Sequence, residues 1–266
     1  MNTQITSLQN EKVKNLIRLQ KKAPERKEQG MFVVEGIREV SLALKNKVKP
    51  HSFFICKSIY SADSLYPIDF QNFQETPVYE VSPEVYNKIA YRGDTQGIMM
   101  IAHNITKTLE DITTDKNSFY MVLESIEKPG NLGAVMRTAD ASGISGIIIC
   151  GQNFDIYNPN VIRASLGCIF TLNVIIADNN SVLTFFKKHN CKVLAAHPEG
   201  KINYSDVDYK QGTAIVMGTE SEGLSSFWKE NADNLIRIPM LGQIDSLNIS
   251  VSAAVITYEA LRQRRL

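Results

Sequence analysis

Six short apolar runs in the C-terminal half constrain the fold more than any other feature of this sequence. They are FYMVLE (119–124), GIIIC (146–150), TLNVIIA (171–177), KVLAA (192–196), TAIVMG (213–218) and NLIRIP (234–239). Most of them are apolar at consecutive rather than alternate positions. A strand of that kind is buried on both faces, which requires a parallel sheet covered by helices on both sides. Helical stretches lie between several of the runs. One spans Asn131 to Ser142 and is closed by Gly143. A second opens with Asn158 as cap and Pro159 at its first position, and a third covers Ser181 to His189. A long last helix runs from Leu247 to Arg265, with Leu247, Val251, Ala254, Val255, Tyr258 and Leu261 at helical spacing.

The first hundred residues read as a smaller α/β domain. LQNEKVKNLIRLQKK (8–22) is a short amphipathic helix, and Gly30 ends that pattern. MFVVEG, HSFFICKS, Val78–Val81 and QGIMMIAH read as strands, with a helix from Ile37 to Leu44. Another helix opens with Ser82 as cap and Pro83 in its first turn. The polar stretch NITKTLEDITTDKN (104–117) reads as a linker near 105–115, which gives domains of 1–106 and 112–266. At 266 residues the chain is long enough for two cores.

Composition excludes several classes. No apolar run approaches the ~20 residues that cross a bilayer, and the N-terminus carries no apolar core of a secretory signal. Cys56, Cys150, Cys168 and Cys191 are dispersed, with neither metal-ligand spacing nor a disulfide framework. A reduced, cytoplasmic protein without a metal is the expectation. The net charge of +1 conceals an asymmetry: residues 1–50 hold eleven Lys/Arg against five Asp/Glu. Such a segment is either a solvated helix face or a surface that contacts phosphate. His51, His103, His189 and His197 show no catalytic spacing and read as structural or surface residues. Trp228 and the ten tyrosines form no evident stacking motif.

Ligands of open parallel sheets bind beyond the carboxyl ends of the strands, and three segments there are rich in Gly, Asn, Ser and Glu. The first is ESIEKPGNLG (124–133), running into AVMRTADASG. Asn131 can cap the following helix, and Arg137 lies off its apolar stripe, placed either to meet a phosphate or hydroxyl or simply to face solvent. The second, VMGTESEGL (216–224), carries two carboxylates between Gly218 and Gly223. The third, IPMLGQIDSLN (238–248), leads into the last helix with Ser246 as a candidate cap. No GxGxxG or Walker pattern is present, so dinucleotide and nucleoside triphosphate readings gain no motif support.

These three segments, in this order, resemble the signature motifs of the SpoU (TrmH-like) branch of the SPOUT RNA methyltransferases. ASGISGIII and YNPNVIRASLGCIF also resemble that family. The stretch KVKNLIRLQKKAPERKEQGMFVVEGIREV resembles its ribosomal-protein-like substrate-binding domain. The resemblance implies S-adenosylmethionine as cofactor, a deep trefoil knot involving the loops 218–223 and 238–248, and a homodimer with the final helix near the interface. It implies cofactor contacts from Gly218, Ile238 and Leu247, with Thr219 and Met240 beside them, and polar active-site roles for Asn131, Arg137, Glu220, Ser246 and Asn248. The implied reaction is methylation of a ribose 2′-hydroxyl in structured RNA, ribosomal RNA first.

Methyl transfer to a ribose hydroxyl needs that weakly acidic oxygen positioned and its proton removed, and the implied residue types suit this. Arginine is almost always protonated, so Arg137 is expected to stabilise a developing alkoxide or pin a phosphate, literal proton abstraction being the other reading. The alternatives are an RNA-binding or ribosome-assembly factor without turnover, a transfer RNA 2′-O-methyltransferase, and a nucleotide-cofactor enzyme acting on small molecules.

Overall fold

The computed structural model describes residues 4–61, 65–91, 96–151, 154–219 and 222–265. Its strands are β1 (Gln4–Ile5), β2 (Met31–Glu35), β3 (Pro50–Ile55), β4 (Val78–Val81), β5 (Ile98–His103), β6 (Phe119–Glu124), β7 (Gly146–Cys150), β8 (Val174–Ala177), β9 (Lys192–Ala196), β10 (Ile202–Asn203), β11 (Thr213–Met217) and β12 (Asn234–Arg237). Its helices are α1 (Glu11–Lys21), α2 (Ala23–Gln29), α3 (Ile37–Lys45), α4 (Pro83–Ile89), α5 (Pro129–Ser142), α6 (Pro159–Ala164), α7 (Asn179–Lys188), α8 (Ser226–Asn231) and α9 (Ile249–Arg265). They form two compact units, one of Met1–Ile105 with Asp155–Thr171, the other of Thr106–Phe154 with Leu172–Leu266.

The first unit is built on a mixed sheet of order β1-β4-β3-β5-β2, in which β5 runs antiparallel to both β2 and β3. One of its cores joins Val13, Leu16 and Leu19 of α1 to Phe54, Met99 and Ile101 of the sheet and to Val85 and Ile89 of α4. Helix α1 starts later than its pattern suggests. Asn10 caps it by accepting from the Lys12 amide at 2.9 Å, so Leu8 and Gln9 stay outside. Helix α2 has no apolar periodicity to announce it. Arg26, 4% exposed, holds it: the guanidinium donates to the carbonyls of Leu19 and Gln20 and to Asp155. A buried guanidinium persists only when its donors are met in this way.

The second unit is a parallel sheet of order β10-β12-β9-β11-β6-β7-β8, every described pairing being parallel. Strands β6, β7 and β11 are buried along their whole length, the two-sided burial that their unbroken apolar runs predict. Two caps differ from the sequence reading, and both concern site residues. Helix α5 begins at Pro129 with Lys128 at the cap, which puts Asn131 inside the first turn with its side chain released from capping. Helix α9 begins at Ile249, two residues later than expected. Asn248, not Ser246, caps it by accepting from the Ser250 amide at 2.9 Å.

The stripe expected to bury α9 also differs. Its buried residues are Ile249, Ala253, Ile256, Thr257 and Ala260, and this face packs along α5. Val251 and Tyr258 are 47% and 49% exposed. Among the described residues the helix therefore buries one apolar face and leaves a second, with Val251 and Tyr258, about half exposed. None of the described helices is long and apolar enough to cross a membrane.

Candidate active site

The sheet order brings together strand ends far apart in sequence. Strand β9 lies between β11 and β12, so the residues after these three strands meet at one edge of the second unit. They enclose a cavity of about 350 Å³, within the roughly 300–1,000 Å³ of small-molecule sites. Its wall takes Ala196, His197 and Pro198 from the end of β9, and Met217, Gly218, Thr219, Glu222 and Gly223 from the end of β11. Ile236, Ile238 and Met240 come from β12 and beyond, and Asp245, Ser246, Leu247, Ile249 and Ser252 from the approach to α9. All five residues expected to contact a cofactor (Gly218, Thr219, Ile238, Met240 and Leu247) line it.

The turn after β11 is pinched shut. The Thr219 amide donates to the Gly223 carbonyl at 3.2 Å, the Gly223 amide returns to Thr219 at 3.1 Å, and the Glu222 amide donates to the Thr219 hydroxyl at 3.0 Å. Gly223 has φ +68°, a left-handed conformation that favours glycine. At Gly218 a Cβ would stand 2.1 Å from the Gly223 carbonyl oxygen, so backbone packs where a side chain would be. Behind the turn, buried Glu124 at the end of β6 accepts from the Ser225 amide at 2.8 Å, the Ser225 hydroxyl at 2.7 Å and Asn179 at 2.9 Å. This carboxylate ties the second loop to the sheet. Glu124 and Asn179 also line a second, more open cavity of about 510 Å³ at the ends of β6, β7 and β8.

Of the polar residues expected in the active site, Ser246 lines the first cavity. Asn131 and Asn248 are joined across α5 and α9, the Asn248 amide donating to the Asn131 side-chain oxygen at 3.3 Å. Asn248 thus does two jobs: its oxygen caps α9 and its nitrogen meets Asn131. Arg137 is not brought to this cluster. Six residues along a helix is a turn of about 600°, which sets Arg137 roughly 120° around the axis from Asn131, and it is exposed. Glu220 lies outside the described residues.

Sequence reasoning missed His197, Asp245, Glu222 and Ser252 as cavity residues. His197 read as an ordinary histidine because nothing in the sequence places β9 between β11 and β12. Burial, together with Lys229, holds its imidazole below the ordinary histidine range. The cavity chemistry suits an adenosyl sulfonium ligand. Met217, Ile236, Ile238, Met240, Leu247 and Ile249 offer an apolar lining for a base, while Glu222 and Asp245 supply negative charge for a cation. No cluster of metal-ligating side chains occurs among the described residues.

Residues 118–258 match the SpoU rRNA Methylase family and residues 10–100 match an MRM3-like substrate binding domain. A crystallised RNA 2′-O ribose methyltransferase is 37% identical and superposes with a TM-score of 0.84, covering 99% of this chain and 100% of its own. An AdoMet-bound rRNA methyltransferase from Sinorhizobium meliloti is 29% identical at a TM-score of 0.87, over 98% of this chain and 97% of its own. The 23S rRNA (guanosine(2553)-2′-O)-methyltransferase RlmP of Bacillus subtilis is 27% identical over 96% of this chain and 98% of the relative. The chain belongs to the SpoU rRNA methylase family.

Proposed function

We propose that this protein methylates a ribose 2′-hydroxyl of ribosomal RNA using S-adenosylmethionine. The observation that carries the reading is the cavity at the ends of β9, β11 and β12, walled by two of the three motif loops in a chain of this family. When bound there, S-adenosylmethionine supplies an electrophilic methyl group. Gly218, Thr219, Ile238, Met240 and Leu247 hold the cofactor, and Ser246 faces the ribose. Asn131 and Asn248, joined to each other, orient the sugar. Glu220 orders the second loop or pairs with Arg137. Arg137, always cationic, stabilises the alkoxide that forms as the hydroxyl proton leaves to solvent.

The working unit is a homodimer. What supports this is that Leu241 (97% exposed), Ile244 (61%), Val251 and Tyr258 are large apolar side chains left exposed on the third loop and α9. A second copy covers that face and carries an exposed Arg137 to the cavity. The loops 218–223 and 238–248 are threaded as a trefoil knot. The substrate-binding part spans 1–106 and the catalytic part 112–266, in keeping with the two family matches. The cytoplasm is the compartment, which suits four free, buried cysteines.

The test is incubation with methyl-labelled S-adenosylmethionine and total RNA from cells lacking the gene. Label is expected on a ribose of ribosomal RNA. Label on bases alone, or on no RNA, overturns the assignment, and label on transfer RNA ribose moves the substrate.

A further inference from the structure

Among the described residues of the first unit, Tyr91 is the one Phe, Tyr or Trp side chain in the exposed class, at 49%. Of the other aromatics of that unit, Tyr86 is 1% exposed and Phe32, Phe53 and Phe54 are fully buried, while Tyr60, Tyr66, Phe70, Phe73 and Tyr79 are half-buried. An exposed tyrosine by itself needs no explanation. This one is held in place by three elements. Its backbone amide donates to a carboxylate oxygen of Glu35, the last residue of β2, at 2.9 Å. Two residues earlier the Ile89 carbonyl accepts from Gln20 of α1 at 2.9 Å. From α6, which packs on β2, the Arg163 guanidinium lies 4.8 Å from the Tyr91 ring centroid.

The result is a tyrosine anchored through its backbone, about half exposed to solvent, with a guanidinium against its ring. Val33, Pro159 and Ile162 make an apolar floor beside the pair. Lys21 at the end of α1 and Lys88 in α4 are exposed, the first one residue beyond Gln20 and the second one before Ile89. An exposed aromatic ring with a guanidinium against it matches the chemistry of an unpaired nucleotide: the base stacks on the ring, and the cation meets a flanking phosphate.

We propose that Tyr91 and Arg163 form a stacking platform for an unpaired base of the RNA substrate. The proposal rests on the reading of the chain as an enzyme acting on RNA. The platform joins a residue of the substrate-binding match to one inside the methylase match.

Fluorescence anisotropy with three labelled probes tests it: a 12-nucleotide single-stranded RNA of mixed sequence, an abasic oligoribonucleotide of the same length, and a duplex of the same length. Tyr91→Ala is expected to weaken the base-bearing single strand about tenfold, the lower part of the range for loss of one stacked base. Tyr91→Phe keeps wild-type affinity, and Arg163→Gln weakens binding of the single strand. The abasic strand and the duplex bind Tyr91→Ala as they bind the wild type, and thermal melting of Tyr91→Ala matches the wild type. Equal binding of the base-bearing strand by Tyr91→Ala and wild type overturns the platform, as does an equal loss for the abasic strand. Methyl transfer by the wild type, measured on ribosomal RNA in parallel, separates the two failures. Transfer that proceeds while Tyr91→Ala binds normally sinks the platform alone. A wild type that neither binds nor methylates RNA sinks the functional reading and the platform with it.

Discussion

Replacing Gly218 by alanine should cost this protein its cofactor while leaving most of the fold standing. The new methyl carbon would stand 2.1 Å from the Gly223 oxygen, 2.2 Å from the Gly223 carbonyl carbon and 2.5 Å from the Leu224 nitrogen. Carbon in comfortable contact needs roughly 3.5 Å, so the turn must retreat by more than about 1 Å. Every crowded atom is backbone, and no flexible side chain can swing away. The retreat breaks the paired hydrogen bonds between Thr219 and Gly223 and moves Gly218, Thr219 and Gly223 out of the cavity wall. Overpacking of this kind costs about 1–3 kcal/mol. Paid wholly in binding, that is a loss of about 5- to 150-fold in affinity for S-adenosylmethionine. Isothermal titration of the variant against the wild type measures the affinity, and a thermal melt reports the fold. Wild-type affinity for the cofactor in Gly218→Ala would refute the placement of this turn against the cofactor.

Arg137→Ala should lower methyl transfer by about 100-fold or more yet leave the cofactor dissociation constant unchanged, since the proposed role of Arg137 is toward the reacting hydroxyl and not the cofactor; kcat and titration calorimetry separate the two. Asn248→Asp keeps an acceptor for the Ser250 amide but loses the donor to Asn131. Its melting temperature should hold while kcat falls, and a variant melting far below wild type refutes this division of roles. Arg264→Ala strips a half-buried guanidinium from the carbonyls of Tyr209, Asn117, Ser118 and Gln211. A loss of about 3 kcal/mol is expected in urea unfolding. Burial raises the Glu39 carboxyl above its ordinary range. The folded state therefore holds its proton more tightly than the unfolded chain, and stability drains as pH rises above the normal carboxylate range. Glu39→Gln should accordingly raise the melting temperature at pH 8 and make little difference near pH 4; equal gains at both contradict the assignment.

The fold was legible where burial is two-sided and continuous. FYMVLE, GIIIC, KVLAA and the run beginning at Thr213 all emerge as strands of one parallel sheet, because an unbroken apolar run has no solvent face to offer. Elements held by something other than apolar periodicity were not legible. Helix α2 depends on Arg26 and its partners, Asp155 lying 129 positions further along. The two-residue strands β1 and β10 are too short for any pattern to register. The cap positions failed for a related reason: Asn131 and Ser246 each precede an apolar periodic segment, as caps do, but the helices begin beside them rather than at them.

Those two displaced caps bear on function. An asparagine at a cap spends its side-chain oxygen on the backbone, and a serine there spends its hydroxyl. With Lys128 at the cap position of α5 and Asn248 at that of α9, Asn131 and Ser246 do not cap these helices; the Asn131 oxygen accepts from Asn248, and Ser246 lines the cavity. Asn248 is the residue that makes both releases compatible, because an amide has an acceptor for the helix and a donor left over. Neither aspartate nor serine can do this in the same geometry, since one lacks the donor and the other the reach. The sequence pattern could supply the residue types but not their division of labour, which is fixed by where two helices start and by their packing against each other. The apolar stripe on α9 follows the same logic. One face of the helix is occupied by α5, and among the described residues the stripe of Val251 and Tyr258 on the other is left about half exposed.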